Sequence, residues 1–345
     1  MRGVVLESFG DVDHFKLKEV PLPVPKKNEV RIRIQSIGFN PVDYKMRKGK
    51  FPIEAPVILG VDCSGIIDAM GKEAKDFKEG DEVMAFALGR QASNGTYAQY
   101  MCIDASFVVK KPKNISFDEA AAFPTVALTA YRTLIATGAA QSGRPIFIAG
   151  GAGGVGCIAI QLAQYLKTGP IFSTAGNEQS KNMLVRQLKL KKEQILIYSG
   201  LGLEEMKQKI LEMNHGNYFP AAFDFVGGTM KQLCFAIADI LGHVVTIVRE
   251  KDDFSVPIWN GKESCFTKSL SLHFVNIAAQ SFYGKDHSWP LYQMQLQEMV
   301  HLLEGKHLVP FIHHLGTFSC ETVQQAHRLL EEGHTQGKLV VSLLD

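Results

Sequence analysis

The pattern of apolar and polar residues divides the chain into three stretches. Over residues 1 to about 120, short apolar runs are bounded by Gly, Asp and Pro, and residues 30–34 alternate apolar and charged side chains as a half-buried strand does. From about 121 to 275, strand-like runs alternate with helix-like periods. The last stretch, 276–345, predicts two helices and a closing strand over 338–343.

The middle stretch has the rhythm of a doubly wound fold, in which a parallel sheet carries helices on both faces. The predicted strands cover residues 145–149, 170–173, 194–198, 222–226, 243–247 and 270–274. The predicted helices between them cover residues 158–166, 179–190, 203–213 and 229–240. The chain is therefore predicted to be an α/β protein with a compact β-barrel and a doubly wound parallel sheet.

Length and composition agree with this division. The 345 residues exceed the roughly 250–300 at which a single core usually stops growing, so we expect more than one domain. The boundaries follow the change of pattern: 1–120, 121–275, and a segment 276–345 that returns to the first domain.

Charge and cysteine usage exclude several classes of partner. The net charge of +2 gives no reason to expect nucleic acid or an anionic membrane as partner. The first residues do not form a signal peptide, and no run approaches the roughly 20 apolar residues of a membrane span. The six cysteines are scattered without metal-ligand spacing, which favours a reduced, cytoplasmic protein.

A glycine-rich loop follows the first strand of the middle stretch and precedes a helix. Its key glycines are Gly151, Gly153 and Gly156, with Gly154 and Val155 between the last two. We assign them, in order, to a tight turn, to close approach of a pyrophosphate, and to packing of helix on strand. The helix N-terminus then offers unpaired N–H groups to phosphate. A plain α/β turn and a methyltransferase are the competing interpretations.

The second predicted strand bears on the choice of nucleotide. No Asp or Glu stands at its end, where an NAD site favours a carboxylate for the ribose 2′-hydroxyl. Thr174 and Asn177 are small and polar, and Lys181 follows in the next helix. These residues favour NADPH, whose 2′-phosphate would pair with the lysine. The alternative for Lys181 is a solvated lysine on a helix surface.

Several segments in order along the chain carry a family resemblance. The sequence resembles the medium-chain dehydrogenase/reductase superfamily and, within it, the zinc-free quinone oxidoreductase (zeta-crystallin-like) branch. The resemblance implies a GroES-like β-barrel catalytic domain and a Rossmann cofactor domain. The segments that carry it are GFNPVD (38–43), LGVDCSG (59–65), FKEGDEV (77–83), GTYAQY (95–100), residues 124–131, the glycine loop, DFVGG (224–228) and AHRLLEEG (326–333).

The resemblance is most informative where zinc would bind. Zinc-dependent members carry Cys at the position of Asn40 and a Gly-His-Glu motif at residues 60–62, which here read Gly-Val-Asp. The short loop 89–95 has none of the cysteines of a structural zinc lobe. Four histidines with metal-like spacing, namely His301, His307, His313 and His314, are expected at the surface or at helix ends. We therefore expect no metal.

The resemblance also implies site residues. Asn40 is expected beside the nicotinamide and substrate as a catalytic residue, or else as a buried turn residue that caps its own backbone. Tyr44 is the candidate proton donor, although related proteins place their tyrosine one position later, where this chain has Lys45. The further residues expected at the cofactor are Thr129, Tyr198, Gly227, Thr246, Ile247 and Lys338. The alternative for Lys338 is a surface lysine.

These observations leave three functional hypotheses. The first is NADPH-dependent, zinc-independent hydride transfer to a quinone or another electrophilic, carbonyl-conjugated small molecule, including an enone or enal double bond. The second is a zinc-free alcohol dehydrogenase. The third is an NADPH-binding protein with a mainly structural or regulatory role. By analogy with the family we expect a homodimer joined through the last strand of the Rossmann sheet, residues 270–274.

Overall fold

The computed structural model describes residues 1–89, 92–250, 255–256, 258–259, 261–333, 335 and 337–343. The short loop 89–95 is the one that lacks the cysteines of a structural zinc lobe. Its residues Arg90 and Gln91 lie outside the described ranges. The chain divides into two compact units. The first comprises residues 1–128 with 277–345, and the second comprises residues 129–276.

The strands of the described chain are numbered in sequence order. They are β1 (Arg2–Leu6), β2 (Phe15–Glu19), β3 (Glu29–Gly38), β4 (Val57–Ile58), β5 (Asp62–Met70), β6 (Glu82–Phe86), β7 (Tyr100–Asp104), β8 (Val108–Lys110), β9 (Ile146–Ala149), β10 (Ile171–Ala175), β11 (Ile195–Ile197), β12 (Phe219–Asp224), β13 (Ala238–Thr246), β14 (Ser271–Phe274), β15 (Ile312–Thr317) and β16 (Lys338–Ser342).

The α-helices are numbered in the same way. They are α1 (Pro41–Arg47), α2 (Phe117–Ala121), α3 (Pro124–Ala130), α4 (Gly154–Tyr165), α5 (Glu178–Leu188), α6 (Leu203–Met213), α7 (Thr229–Ile237), α8 (Ala279–Tyr283), α9 (Pro290–Glu304) and α10 (Cys320–Glu332). A π-helical segment, Tyr131–Ala136, directly follows α3.

The first unit is built on a sheet of order β15-β16-β3-β5-β6-β8, with β7 also paired to β3, beside a smaller sheet of order β2-β1-β4. The predicted alternation along β3 is confirmed, because Val30, Ile32 and Ile34 are buried. The C-terminal strand β16 pairs antiparallel with the end of β3, Val340 lying opposite Gly38. This pairing brings the last residues of the described chain beside the loop that follows β3.

The second unit is a six-stranded parallel sheet of order β11-β10-β9-β12-β13-β14. The first strand of the unit, β9, is central, and the order reverses between β9 and β12 as in the Rossmann fold. The side chains of β9 are buried on both faces of the sheet, which explains why residues 146–149 are all apolar. The predicted fold class, a GroES-like β-barrel domain with a Rossmann domain, is confirmed.

The predicted boundaries in this unit differ from the observed ones by up to five residues, and the largest difference is at β13. The helix expected over 229–240 ends at Ile237, and β13 begins at Ala238, five residues before the predicted strand. Ile240 and Leu241 extend the apolar pattern of the helix, but they are 67% and 72% exposed. Leu241, within β13, has φ +61°, and it lies where the register of β13 on β12 shifts, between the Ala238 and His243 pairs.

Strand β14 forms the edge of the Rossmann sheet, and Phe274 at its end is 75% exposed. The homodimer expected through this strand remains a prediction. No helix in the described part of the chain is long and apolar enough to cross a membrane.

Candidate active site

The glycine loop joins β9 to α4 at the carboxyl end of the sheet. The positive φ of its turn, +82°, belongs to Gly150, so the turn role assigned to Gly151 is corrected. Gly151 is instead a packing position, because a Cβ there would lie 2.2 Å from Ser173 Oγ on the neighbouring strand. That hydroxyl donates to the carbonyl of Ile148 at 2.7 Å and ties β10 to β9.

Gly156 and Gly153 have different surroundings within this loop. A Cβ at Gly156 would lie 2.2 Å from Gly150 O and 2.7 Å from Gly151 Cα, which are backbone atoms. Gly153, the N-cap of α4, would meet only Gly150 O, at 3.4 Å. Gly154 and Val155 begin the helix and are partly exposed. The loop therefore packs tightly at Gly156 and remains open at the helix N-terminus, which is the arrangement that accepts a pyrophosphate.

The residues after β10 have distinct structural partners. Thr174 is fully buried, and its hydroxyl oxygen accepts the N–H of Gly150 at 3.0 Å, so it fixes the loop. Asn177 caps α5 by accepting the N–H of Ser180 at 2.8 Å. Lys181, half-buried on the first turn of α5, makes no side-chain hydrogen bond or ion pair within the described chain. That each of these three residues contacts the cofactor remains a prediction.

Tyr198 follows β11 and lies near the end of β10. A Cβ at Gly176 would be 3.4 Å from the Tyr198 hydroxyl. The backbone N–H of Tyr198 donates to Ala175 O at 3.1 Å. Tyr198 therefore lies beside the segment that carries Thr174 and Asn177, where the resemblance expects the adenosine phosphate.

Asp224, which the sequence reasoning missed, organises the carboxyl ends of β12 and β13. Its Oδ1 accepts the N–H groups of Val226 and Gly227 at 3.0 and 2.7 Å. Its Oδ2 accepts the Thr246 hydroxyl at 2.7 Å, and its carbonyl accepts the N–H of Ile247 at 3.3 Å. Gly227 has φ +88°. A carboxylate at the end of an apolar strand and before Gly-Gly was the signal for this role.

Thr129 and Tyr44 lie on helices. Thr129, near the end of α3, is buried, and its carbonyl accepts the Thr133 hydroxyl at 2.8 Å. Tyr44 lies in α1 and is half-buried, with the Lys48 ammonium 6.0 Å from its ring centroid. Both remain predicted site residues.

Asn40 precedes α1 in the first unit and is held by two charged groups. Its Nδ2 donates to Asp62 Oδ2 at 2.9 Å, and its Oδ1 accepts from Lys338 Nζ at 2.5 Å. Its backbone N–H donates to Asp43 Oδ2 at 2.7 Å. Asp43 thus takes part in the capping box at the start of α1, while the Asn40 side chain is bonded to Asp62 and Lys338, and the catalytic role of Asn40 remains a prediction.

Lys338, at the start of β16, is 6% exposed rather than on the surface. Besides Asn40, its ammonium donates to the carbonyl of Phe39 at 2.8 Å and lies 3.5 Å from Asp62 Oδ2. The other Asp62 oxygen accepts the hydroxyl and the N–H of Thr125, at 2.7 and 3.1 Å. Asn40, Asp62 and Lys338 form one buried cluster, here called the carboxamide clamp.

Burial dominates the electrostatics of this region. It raises the pKa of Asp62, against the effect of the Lys338 ammonium, and it lowers the pKa of Lys338, against the effects of Asp62 and Asp43. Burial also raises the pKa of Asp43 to about 7. The three acceptors around Lys338 match the three donors of an ammonium, which favours its charged form.

Two members of the clamp, Asn40 and Asp62, stand at the positions where, by the resemblance, zinc-dependent members carry Cys and Glu. Its members are a carboxamide, a carboxylate and an ammonium, and an ammonium has no lone pair for a metal. These residues therefore do not fit zinc. Across the ranges that the structure describes, no group of three or more His, Cys, Asp or Glu side chains is arranged to hold a metal ion. His301, His307, His313 and His314 are exposed.

Comparison with known families identifies both parts of the chain. A family described as Alcohol dehydrogenase GroES-like domain matches residues 26–113, and one described as Zinc-binding dehydrogenase matches residues 204–341. The 2-methylene-furan-3-one reductase of Solanum lycopersicum is 31% identical over 99% of this chain and 79% of its own length. The chain belongs to the medium-chain dehydrogenase/reductase superfamily.

Other relatives cover the chain to different extents. Synaptic vesicle membrane protein VAT-1 homolog-like of Mus musculus is 35% identical over 51% of this chain, and the match spans only 41% of that relative. The quinone oxidoreductase of Coxiella burnetii has a TM-score of 0.79 and 26% identity over 100% of this chain and 99% of that one. The Escherichia coli quinone oxidoreductase complexed with NADPH has a TM-score of 0.83 and 22% identity over 99% and 100%.

Proposed function

We propose that this protein is a zinc-independent, NADPH-dependent oxidoreductase that delivers hydride to a quinone or a related carbonyl-conjugated acceptor. The carboxamide clamp carries this proposal. Asn40 and Asp62 stand where metal ligands would be, and they are bonded to the Lys338 ammonium. Without a Lewis acid to polarise a simple carbonyl, the acceptor must already be electrophilic, as quinones and enones are.

The glycine loop and α4 would hold the cofactor diphosphate. The open position at Gly153 and the free N–H groups of the first turn of α4 fit a pyrophosphate. When bound, NADPH supplies the hydride. The other residues that we place at the cofactor are Thr129, Thr174, Asn177, Lys181, Tyr198, Gly227, Thr246 and Ile247. Lys338 is also expected there from the resemblance, but its ammonium is bonded to Phe39 O, Asn40 Oδ1 and Asp62 Oδ2, so we place it beside Asn40 instead.

The reaction is a two-electron reduction that also consumes one proton. A quinone takes up hydride and a proton and becomes a hydroquinone, while NADPH becomes NADP⁺. An enone takes hydride at its β-carbon and a proton at its α-carbon. In both cases negative charge develops on the carbonyl oxygen. Asn40 stabilises that oxygen by hydrogen bonding, and Tyr44 is the candidate proton donor.

Two of the relatives named above support an acceptor of this class, whereas a zinc-type alcohol dehydrogenase-like protein of Staphylococcus aureus is 30% identical over 95% of both chains. The tomato enzyme is named for 2-methylene-furan-3-one, a ketone conjugated with an exocyclic double bond. The Coxiella burnetii protein is named a quinone oxidoreductase, and the Escherichia coli one was solved with NADPH. Both names describe substrates whose carbonyl is conjugated, and neither describes a simple alcohol.

The first prediction concerns turnover and metal. Purified protein treated with EDTA should oxidise NADPH in the presence of benzoquinone, phenanthrenequinone or an α,β-unsaturated ketone, at the same rate as untreated protein. The fall in absorbance of the reduced nicotinamide measures this rate, and added Zn²⁺ should not raise it. Loss of turnover with EDTA and recovery with Zn²⁺ would contradict zinc independence.

The same assay separates the alternative functions. Chelator-resistant oxidation of an alcohol with NADP⁺, without reduction of any conjugated acceptor, would favour the zinc-free alcohol dehydrogenase. Tight NADPH binding with no turnover on any acceptor would favour a structural or regulatory role.

The second prediction concerns the nucleotide. Lys181→Gln should weaken NADPH binding about tenfold, since it removes a charge-assisted bond to the 2′-phosphate worth about 1.5 kcal/mol, and should leave NADH binding unchanged. Fluorescence titration of both nucleotides measures the two affinities. Lys167→Gln is the matched control, because Lys167 follows the far end of α4, about 18 Å along the helix from the glycine loop. Equal loss for NADPH and NADH would contradict the assignment.

A further inference from the structure

The carboxamide of Asn40 is hydrogen-bonded through both its oxygen and its nitrogen to buried charged groups. Asn40, Asp62 and Lys338 are 2%, 0% and 6% exposed. Lys338 Nζ lies 2.5 Å from Asn40 Oδ1, and Asn40 Nδ2 lies 2.9 Å from Asp62 Oδ2. Buried polar groups with this many partners are held in one geometry.

The chemistry of the two neighbours decides which way the carboxamide points. An ammonium only donates hydrogen bonds, so it requires the amide oxygen, and a carboxylate only accepts them, so it requires the NH₂ group. If the carboxamide were flipped, its NH₂ group would face the Lys338 ammonium, and both groups are donors. Its oxygen would face the Asp62 carboxylate, and both groups are acceptors. The clamp therefore allows one orientation, in which a single Nδ2 hydrogen is left. The described part of the chain supplies no second acceptor for it.

We propose that Lys338 and Asp62 are positioning residues, which fix Asn40 so that it offers its remaining N–H, and never its carbonyl oxygen, to the substrate. This inference rests on the function proposed above. It narrows the acceptor to molecules whose oxygen becomes more negative during hydride transfer, as the oxygen of a quinone or enone does.

The fold is built to deliver Lys338 to this position. The N–H of Phe39 donates to Leu339 O at 3.0 Å, and Val340 pairs with Gly38, so β16 is registered on the end of β3. Gly337, directly before Lys338, has φ +69°, and a Cβ there would lie 2.3 Å from Phe311 O. A residue with a side chain at position 337 would displace the start of β16, and with it the ammonium.

The test is a double-mutant cycle between Lys338→Met and Asn40→Ala. Lys338→Met alone should lower kcat on benzoquinone about tenfold to a hundredfold, as expected when a reacting group is misplaced by about 1 Å, with KM for NADPH unchanged within about twofold. In the Asn40→Ala background, Lys338→Met should have no further effect on kcat, because it acts only through Asn40.

The control is Lys111→Met, which removes another ammonium of the same unit whose side chain is 5% exposed, bonded to the carbonyls of Pro112 and Ile115 at 3.0 and 2.7 Å and paired with Glu82 at 3.1 Å. It should lower the melting temperature but leave kcat unchanged. A Lys338→Met protein with normal kcat, or one whose loss adds fully to that of Asn40→Ala, would overturn the inference while the proposed function stands.

If Lys338→Met does not fold, Asp62→Asn takes its place in the cycle. An amide at position 62 no longer forces the Asn40 orientation, so kcat should fall, and it should fall only in the presence of Asn40. Unchanged kcat in Asp62→Asn would likewise overturn the inference. Wild-type protein that reduces no conjugated acceptor would refute the proposed function itself, and the inference with it.

Discussion

Gly156→Ala is expected to destabilise the Rossmann unit by about 2–3 kcal/mol and to lower its melting temperature by about 5–10 °C. The added methyl would meet Gly150 O at 2.2 Å and Gly151 Cα at 2.7 Å. These are backbone atoms of the turn between β9 and α4, so no side-chain rotation relieves the overlap. The helix must move away from the strand. Thermal unfolding followed by circular dichroism measures the loss.

Gly153→Ala is the matched comparison, with the same chemical change three residues earlier in the loop. Its methyl would meet only Gly150 O, at 3.4 Å, so stability should change by less than about 0.5 kcal/mol. The methyl would instead occupy the open N-terminus of α4, and NADPH affinity should fall about tenfold or more, equivalent to about 1.4 kcal/mol. If both variants melt as the wild type does, or if Gly153→Ala binds NADPH normally, the division of roles between the two glycines is wrong.

The Rossmann unit was the most predictable part of the molecule because its signals are local. An apolar strand, a glycine loop and a helix follow one another within residues 146–165, and the strand order then follows from right-handed crossovers. The errors in this unit concern detail. The motif placed the turn at Gly151, but the positive φ belongs to Gly150, and backbone angles are not visible in a glycine-rich run where every position allows them.

The carboxamide clamp shows why the site was harder to predict. Asn40 and Lys338 are separated by 298 residues and meet only because β16 pairs with β3. Nothing in the sequence near Lys338 distinguishes a buried ammonium from a surface lysine. The zinc positions could be recognised by resemblance, but the cation between them is contributed by a distant strand. Asp224 was missed for a related reason, since its partner Thr246 lies on the next strand.

A second buried network in the first unit also joins polar residues that are far apart in sequence. Tyr97 and His327, which are 230 residues apart, are joined by a hydrogen bond of 3.0 Å between the hydroxyl and Nε2. Both are fully buried, and Phe15 packs edge-on against the imidazole at 4.9 Å. The sequence motifs GTYAQY and AHRLLEEG, used above only as marks of resemblance, therefore meet in the core. These two motifs therefore contribute to the packing of the first unit.

Protonation of His327 makes the stability of this core depend on pH. Burial, assisted by the neighbouring Arg47 guanidinium, lowers the pKa of His327 to about 3, whereas an unfolded chain titrates near 6.5. Between these values the unfolded state binds a proton that the folded state does not. The stability contributed by neutral His327 is therefore complete above about pH 6.5 and is lost as the pH falls towards 3, by about 1.4 kcal/mol per pH unit.

We therefore expect the free energy of unfolding of the wild type to fall by about 2 kcal/mol more than that of His327→Gln between about pH 6.5 and pH 5. Glutamine keeps a polar group for Tyr97 but has no proton to take up. It should be the less stable protein at neutral pH, since the imidazole packing is lost, and the two curves should converge in acid. His313→Gln, at an exposed position on β15, should follow the wild type at every pH. Urea unfolding across this range measures the curves, and parallel curves for wild type and His327→Gln would contradict the neutral, buried state assigned to His327.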